Sequence, residues 1–392
     1  MMKTILLYLK HFIVVTCLLL LTGFASLVAM QGSIAFGTDE LAYKVGDEGP
    51  HIFHNQDSLD VMYIRGNRET GFSIEKTHFS SNETIDIEVY FPKDGSRFSL
   101  PFTAHYETPA SHYNDAQPIF VMSDLEGNLA TFRDFLLQHN VIDAGLTWQF
   151  GQGHLVLLGD MVDRGYATTQ LLWFIYKLEQ EAKLAGGSVH MIIGNHEIKN
   201  MQGNMKSAAN KYIPIAGMLG KHHAELFGED AAIGRWLASK NVVESINGYL
   251  FTHGGIHPEI AALGLSLDDI NQTIRSAYRQ YYYPREDYSH DQHLLISNKT
   301  GPAWYRGYFK DEVSEKQMDE TLTAFNAKAI VVGHTLQFSV NSQFDGKLYA
   351  VDVKHPEDYT DNFPFKASEG LLLKDGQAYR LLDDGTRALL DD

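Results

Sequence analysis

The sequence predicts a layered α/β fold built around a shared metal site, and three observations carry that prediction. From Pro118 onward, short apolar runs alternate with stretches of helical periodicity, the pattern of strands feeding helices in layers. Five of those runs end in a residue able to hold a metal: Ile119–Met122 before Asp124, Leu155–Leu158 before Asp160, Met191–Ile193 before Asn195 and His196, Tyr249–Phe251 before His253, and Ile330–Val332 before His334. Upstream, Ile85, Ile87, Val89 and Phe91 alternate with polar residues, the period of a half-buried strand. With 392 residues, 44% of them hydrophobic, the chain can bury a large core.

Residues 1–30 stand apart. Lys3 and Lys10 precede Phe12–Met30, an uncharged run of 19 residues, close to the roughly 20 that cross a bilayer as a helix. The segment reads as a signal peptide, with weak cleavage sites after Ala25 or Ala29, or as an N-terminal membrane anchor. Lysines on its amino side keep that end in the cytoplasm and export the rest. The expected location is therefore periplasmic, or anchored through residues 12–30 with the body outside the cytoplasm. Cys17, the one cysteine, lies in this segment, so the body has no disulfide. The net charge is −17, and without Lys3 and Lys10 residues 31–392 carry −19. So acidic a body suits neither DNA nor anionic lipid, which demand clustered Lys and Arg. No nucleic-acid partner is expected.

Residues 31–115 form a β-rich extension, with a strand at Val61–Ile64, another at Ile85–Phe91, a turn at Pro92–Gly95 and a return strand over Arg97–Phe102. Residues 116–392 form the catalytic body. Leu129, Phe132, Phe135 and Leu136 share one helical face, and a second helix runs from Thr168 to Ala185 and stops at Gly186-Gly187. A mostly helical insertion fills 198–247. Ser314 and Gln317 form a capping box that opens the helix before Ile330. Short strands follow at Leu348–Asp352, Gly370–Leu373 and Ala378–Leu381. Tyr281-Tyr282-Tyr283 reads as aromatic core or a dimer contact, and His222-His223 as an exposed pair.

The loops after the five runs read Asp124-Leu125-Glu126-Gly127-Asn128, Gly159-Asp160-x-x-Asp163-Arg164-Gly165, Gly194-Asn195-His196-Glu197, His253-Gly254-Gly255 and Gly333-His334-Thr335. Each carries a glycine that lets the backbone turn while its ligand points inward. Hard oxygens with imidazoles suit Mn, Fe, Zn or Mg. Ligands far apart in sequence but always at strand ends imply a site on the carboxyl edge of a sheet. Two metals there would clamp a phosphoryl group and ionise a bridging water. Any one of these loops alone reads as a turn or a helix cap; five in order do not.

These loops resemble the metallophosphoesterase (calcineurin-like phosphoesterase) superfamily over about residues 117–355. The Asp-Arg-Gly and Gly-Asn-His-Glu motifs resemble its phosphoprotein phosphatase branch. Gly234-Arg235-Trp236-Leu237, Lys240-Asn241-Val242-Val243 and Gly301–Gly307 resemble the bacterial Shewanella-like phosphatases. The resemblance implies a four-layer α-β-β-α sandwich holding two divalent ions, manganese ahead of Mg, Fe or Zn. It implies Asp124, Glu126 and Asp160 on the first ion, and Asp160, Asn195, His253 and His334 on the second. It also implies His196 as general acid, Asp163 orienting it, and Arg164 with Arg306 gripping phosphate. The family's first loop reads Asp-x-His, whereas position 126 here is glutamate: either it ligates and favours a harder ion, or its longer side chain misses and the site holds one metal. The implied activity is hydrolysis of phosphomonoesters, on a phosphorylated protein or small molecule, by attack of a metal-bridging hydroxide. The alternatives are a nucleotide pyrophosphohydrolase or phosphodiesterase of the same superfamily, and a non-catalytic metal-holding envelope protein. Arg164 favours the monoester, because it offers two donors to a terminal phosphate.

Overall fold

The structure, a computed structural model, describes residues 2–30, 34–36, 45–363 and 367–390. Two six-stranded sheets lie face to face. The first runs in the order Ser188–Met191, His154–Leu157, Ile119–Met122, Glu369–Lys374, Gln377–Leu382, Arg387–Leu389, with the first three strands parallel and the rest antiparallel. The second runs Asn341–Gln343, Leu348–Ala350, Ala329–Val332, Tyr249–Thr252, Val243–Ile246, His112–Tyr113, with its three middle strands parallel.

Side-chain alternation explains the layering. Ile119, Val121 and Val156 of the first sheet meet Phe251, Val331 and Tyr349 of the second in a dry inner layer. The residues between them, Phe120, Met122, Leu155, Ile330 and Val332, point the other way into the cores under the helices. Strands apolar on both faces are what two covered sheets require. The site strands are therefore divided between two sheets, three in one and two in the other, rather than lying on the single edge inferred from sequence.

Helix Leu129–Gln138 buries Leu129, Phe132, Phe135 and Leu136, the face its spacing predicts. Helix Thr168–Ala185 ends on Gly186 at φ +81°, whose N–H closes back on the last turn. Ser314 Oγ accepts from Gln317 N–H as the capping box predicts. The helical insertion is shorter than expected: its last helix is Ala232–Ala238, and Val243–Ile246 is already sheet. Two expectations are corrected in part: the tyrosine run is not core, and His222-His223 is not an exposed pair. Tyr281 and Tyr283 are 53% and 58% exposed, because their segment runs over the surface rather than through the core. His223 is buried on Phe227, so only His222 of that pair faces solvent.

The N-terminal helix Met2–Ala29 is long and apolar enough to cross a membrane and buries none of its residues. The extension forms a three-stranded antiparallel sheet (Glu48–Asn55, Ser58–Asn67, Gly71–Ser80) and a hairpin (Ile85–Phe91 with Ser96–Phe102). Both pack on helix Thr168–Ala185. Phe102 meets Trp173 edge to face at 5.5 Å, and Trp173 Nε1–H donates to Pro50 O at 2.8 Å.

A buried ion pair ties the extension to the body. Glu48 Oε2 lies 2.7 Å from Lys211 Nζ, with neither side chain exposed, and accepts from Gln170 Nε2 at 2.9 Å. Burial opposes charge on Glu48, but Lys211 outweighs it and holds the carboxyl well below the usual carboxylate range. Lys211→Met leaves that charge without its partner and should lower the unfolding free energy by about 3–5 kcal/mol in urea titrations. Glu48→Gln with Lys211→Met should recover much of the loss. Because the folded pKa is depressed, the pair's stabilisation is complete above the ordinary value of 4.5 and fades as pH falls below it. Wild type should accordingly lose more stability than the double variant between about pH 5 and pH 3.

Candidate metal centre and active site

The loops that leave the strands are tightly and expensively folded. Asp124, Glu126, Asp160, Asp163, Arg164 and His334 all have φ between +48° and +72°, a region non-glycine residues avoid. Such strain concentrates at functional sites, where packing over-determines it. The glycines at positions 194 and 333 answer a different need. A Cβ on Gly194 would lie 2.6 Å from Asp160 N, and one on Gly333 would run into Ser123 Oγ and Asp124 Oδ2. Neighbouring loops touch backbone to backbone there.

Glu197 stitches two of the loops together. Fully buried, it accepts from the backbone N–H groups of Asp160 (2.9 Å), Met161 (2.7 Å) and Gly194 (2.9 Å). Burial, then the charge of Asp160, raise its carboxyl to about 7 against those donors. Sequence reasoning included Glu197 in a motif but gave it no work.

Four ligand atoms converge on one point. Oxygens and ring nitrogens of Asp160, His253 and His334 lie within 4.8 Å of one another. The inward atom of the Asn195 amide is 2.8 Å from His334 Nδ1, 3.0 Å from His253 Nε2 and 3.2 Å from Asp160 Oδ2. The far nitrogens fix the tautomers. His253 Nδ1–H donates to Leu158 O at 2.5 Å and His334 Nε2–H to Trp304 O at 3.1 Å, which aims His253 Nε2 and His334 Nδ1 at the centre. With its oxygen inward, Asn195 adds a fourth lone pair and finds only acceptors. A carboxylate, an amide and two imidazoles converging on one point form an N/O donor set that fits a divalent metal.

The protonation pattern says the same. Burial opposes charge on Asp160, but His253 and His196 outweigh it and keep the carboxyl ionised far into acid. Burial also opposes charge on the His253 ring, which Asp160 and Asp124 nevertheless raise to about 10. Burial and His253 push His334 down to about 2. One proton thus stands in for positive charge among the ligands.

His196 lies beside this ring. Its Nδ1 is 2.5 Å from Asp163 Oδ2, and Asn200 Nδ2 donates to Asp163 Oδ1 at 2.8 Å and to His196 O at 2.9 Å. Asn200 was missed, although its place four residues after His196 puts both on one helical face. His196 Nε2 faces the cavity between Lys199 Nζ (3.4 Å) and Arg164 (3.5 Å).

Not every expected residue joins the ring. Asp124 borders it, its Oδ2 accepting from His334 N at 3.0 Å and from Ser123 Oγ at 2.5 Å. Glu126 is turned away, pressed against the Arg164 guanidinium with Lys354 Nζ 3.6 Å from its other oxygen. Arg306 lines the cavity and donates to His334 O and Thr335 Oγ1. Asp352, missed as a site residue, is only 6% exposed and lines the same cavity, and burial with the Asp124 charge raises its carboxyl well above the usual range. Its signal was legible: Leu348–Val351 is one more apolar run ending in an acid.

A cavity of about 750 Å³ opens over these groups. The model of the calcineurin-like phosphoesterase family matches residues 117–338, more than half of the chain. The chain belongs to the calcineurin-like phosphoesterase family. Within that family it is similar to the crystal structure of a cold-active protein-tyrosine phosphatase from a psychrophilic Shewanella species, with 31% identity, a TM-score of 0.75, and coverage of 88% of this chain and 99% of that one. Shewanella-like protein phosphatase 2 of Arabidopsis thaliana is 23% identical over 70% of this chain and 79% of its own length. Shewanella-like protein phosphatase 1 of Plasmodium berghei is 26% identical over 60% of this chain and 66% of its own. A calcineurin-like phosphoesterase works with divalent metal ions on phosphate esters, and the converging donors are where this chain can hold one.

Metal entry must expel the proton held by the His253–Asp160 pair. Apparent affinity for Mn²⁺ should therefore rise with pH across pH 6–8, by up to about tenfold per unit for each proton released. Calorimetry in buffers of different ionisation enthalpy should count about one proton per ion, and Asp160→Asn should abolish binding.

Proposed function

We propose that this protein is a metal-dependent phosphomonoesterase acting on phosphoproteins. The observation that carries this reading is the His196–Asp163 pair, whose free Nε2 faces the cavity next to Arg164 and the converging ligands of Asp160. Its similarity to a protein-tyrosine phosphatase and to two Shewanella-like protein phosphatases supports phosphoprotein over other esters.

We assign two divalent ions, manganese first, one to Asp124, Glu126 and Asp160 and one to Asp160, Asn195, His253 and His334. When bound, they neutralise phosphate charge and lower the pKa of water. The protein's own groups do the rest. Arg164 and Arg306 hold the phosphate oxygens with planar, paired donors. For Arg164 and Glu126 those roles require their contact to part, the guanidinium going to phosphate and the carboxylate to the ion. Asp163 fixes His196 with Nδ1–H outward to the carboxylate, so Nε2 is the atom that gives a proton to the leaving oxygen. Asn200 holds Asp163 in turn. Export through the apolar helix Met2–Ala29 is part of this reading, supported by Lys3 and Lys10 on its amino side.

His196→Ala should lower kcat on p-nitrophenyl phosphate and on a phosphotyrosine peptide by about 10²–10⁴-fold while metal content by mass spectrometry stays at the wild-type level. Wild-type protein that releases no phosphate with any of Mg, Mn, Zn, Fe or Co would sink the reading.

A further inference from the structure

The cavity's acids Asp124, Asp160 and Asp352 are buried in its floor and Glu126 is paired with Arg164, whereas lysines outnumber the single acid, Glu312, on the lining contributed by residues 298–312 and the adjoining helix. Arg164 and Lys354 are engaged by Glu126, and Arg306 by the His334 loop. Lys199, Lys299 and Lys310 differ. Among the described residues, none of the three has a carboxylate within ion-pair distance, although acids outnumber Lys and Arg by 49 to 32 in this chain. Lys199 packs over Trp304, 5.3 Å from its ring centroid, on the same wall. Lys299 and Lys310 are exposed, one on each side of the Gly301–Gly307 segment that carries Arg306.

Glu312 lines the same wall yet makes no ion pair with any of the three, so their charges stay available to a ligand. Their field adds over distances shorter than the Debye length of about 8–10 Å. The cavity, about 750 Å³, is in the range that encloses a whole small ligand rather than one phosphoryl group. A monoester with a neutral leaving group would leave this positive wall unanswered.

We infer that the site takes phosphomonoesters whose leaving group carries a second anionic group, and that Lys299 and Lys310 hold it. This rests on the phosphomonoesterase reading and narrows its substrates. The second anion has two sources: acidic residues flanking a phosphorylated side chain, or a further phosphate on a small molecule.

Both sources are tested by ratios of kcat/KM, first for a phosphotyrosine peptide flanked by Glu over its Gln counterpart, then for a sugar bisphosphate over its monophosphate. In wild type with Mn²⁺ at least one ratio should reach about tenfold, as two exposed ion pairs allow. Lys299→Gln with Lys310→Gln should collapse that ratio toward one through KM, whereas Lys299→Arg with Lys310→Arg should keep it. Salt should collapse it as well. Discrimination in the peptide arm alone identifies acidic flanks, and in the sugar arm alone a second phosphate. Ratios near one in both arms, or a ratio that survives the Gln pair, overturn the inference while hydrolysis itself stands. No hydrolysis of any of the four substrates would instead overturn the underlying reading and this inference with it.

Discussion

Asp160 places a buried negative charge where three other lone pairs converge, and the rest of the site is arranged around that imbalance. A lone ionised carboxylate in this interior is untenable without a cation or strong donors. The chain supplies part of the answer itself: His196 N–H donates to Asp160 Oδ1 at 2.9 Å, and the His253 ring takes up a proton. That ring's Nε2 lies 3.2 Å from Oδ2, so the proton there occupies the place a metal ion would take. The surrounding backbone commits to that arrangement with left-handed residues in three of the five loops. Loops so strained hold their shape only on a rigid base.

That base is the pair of sheets. The dry inner layer around Val121, Val156, Phe251 and Val331 fixes the distance between them, so ligands from opposite sheets meet at a set separation. His253 Nδ1 donates to Leu158 O across that gap, one sheet orienting a ligand of the other. Glu197 does the equivalent within the first sheet, fastening the Asp160 loop to the helix that carries Asn195 and His196. Hydrophobic burial thus pays for polar convergence a few residues away.

Much of this was legible in the sequence, and the unread part has physical reasons. The ligand residues announce themselves by ending apolar runs, and the helix face of Leu129, Phe132, Phe135 and Leu136 by its period. Which sheet a strand joins is not written locally, because strands covered on both faces carry no alternation. Val243–Ile246 went unread for that reason, and Gly71–Ser80 for the opposite one, being largely exposed. Glu197 and Asn200 act through contacts set by tertiary geometry, although Asn200's helical spacing was available. Asp352 follows the same rule as the other ligand positions, ending the apolar run Leu348–Val351.

Position 126 is glutamate where the family resemblance implies the histidine of an Asp-x-His loop, and that residue has a definite electrostatic consequence. A neutral histidine there would leave the Arg164 guanidinium without an acidic partner at the mouth of the cavity. Glutamate instead binds it, and Lys354 as well, so part of the rim's positive charge is cancelled from within. Any ion that draws the carboxylate inward restores that charge to the rim at the same moment. If Glu126 ligates the ion and Arg164 the phosphate, affinity for metal and affinity for phosphate would be linked in the same direction, since each ligand relieves the other of a competitor. Lys199, Lys299 and Lys310 make no ion pair with Glu126 and lie outside this exchange, so the excess of lysines on that wall persists whichever partner Glu126 holds.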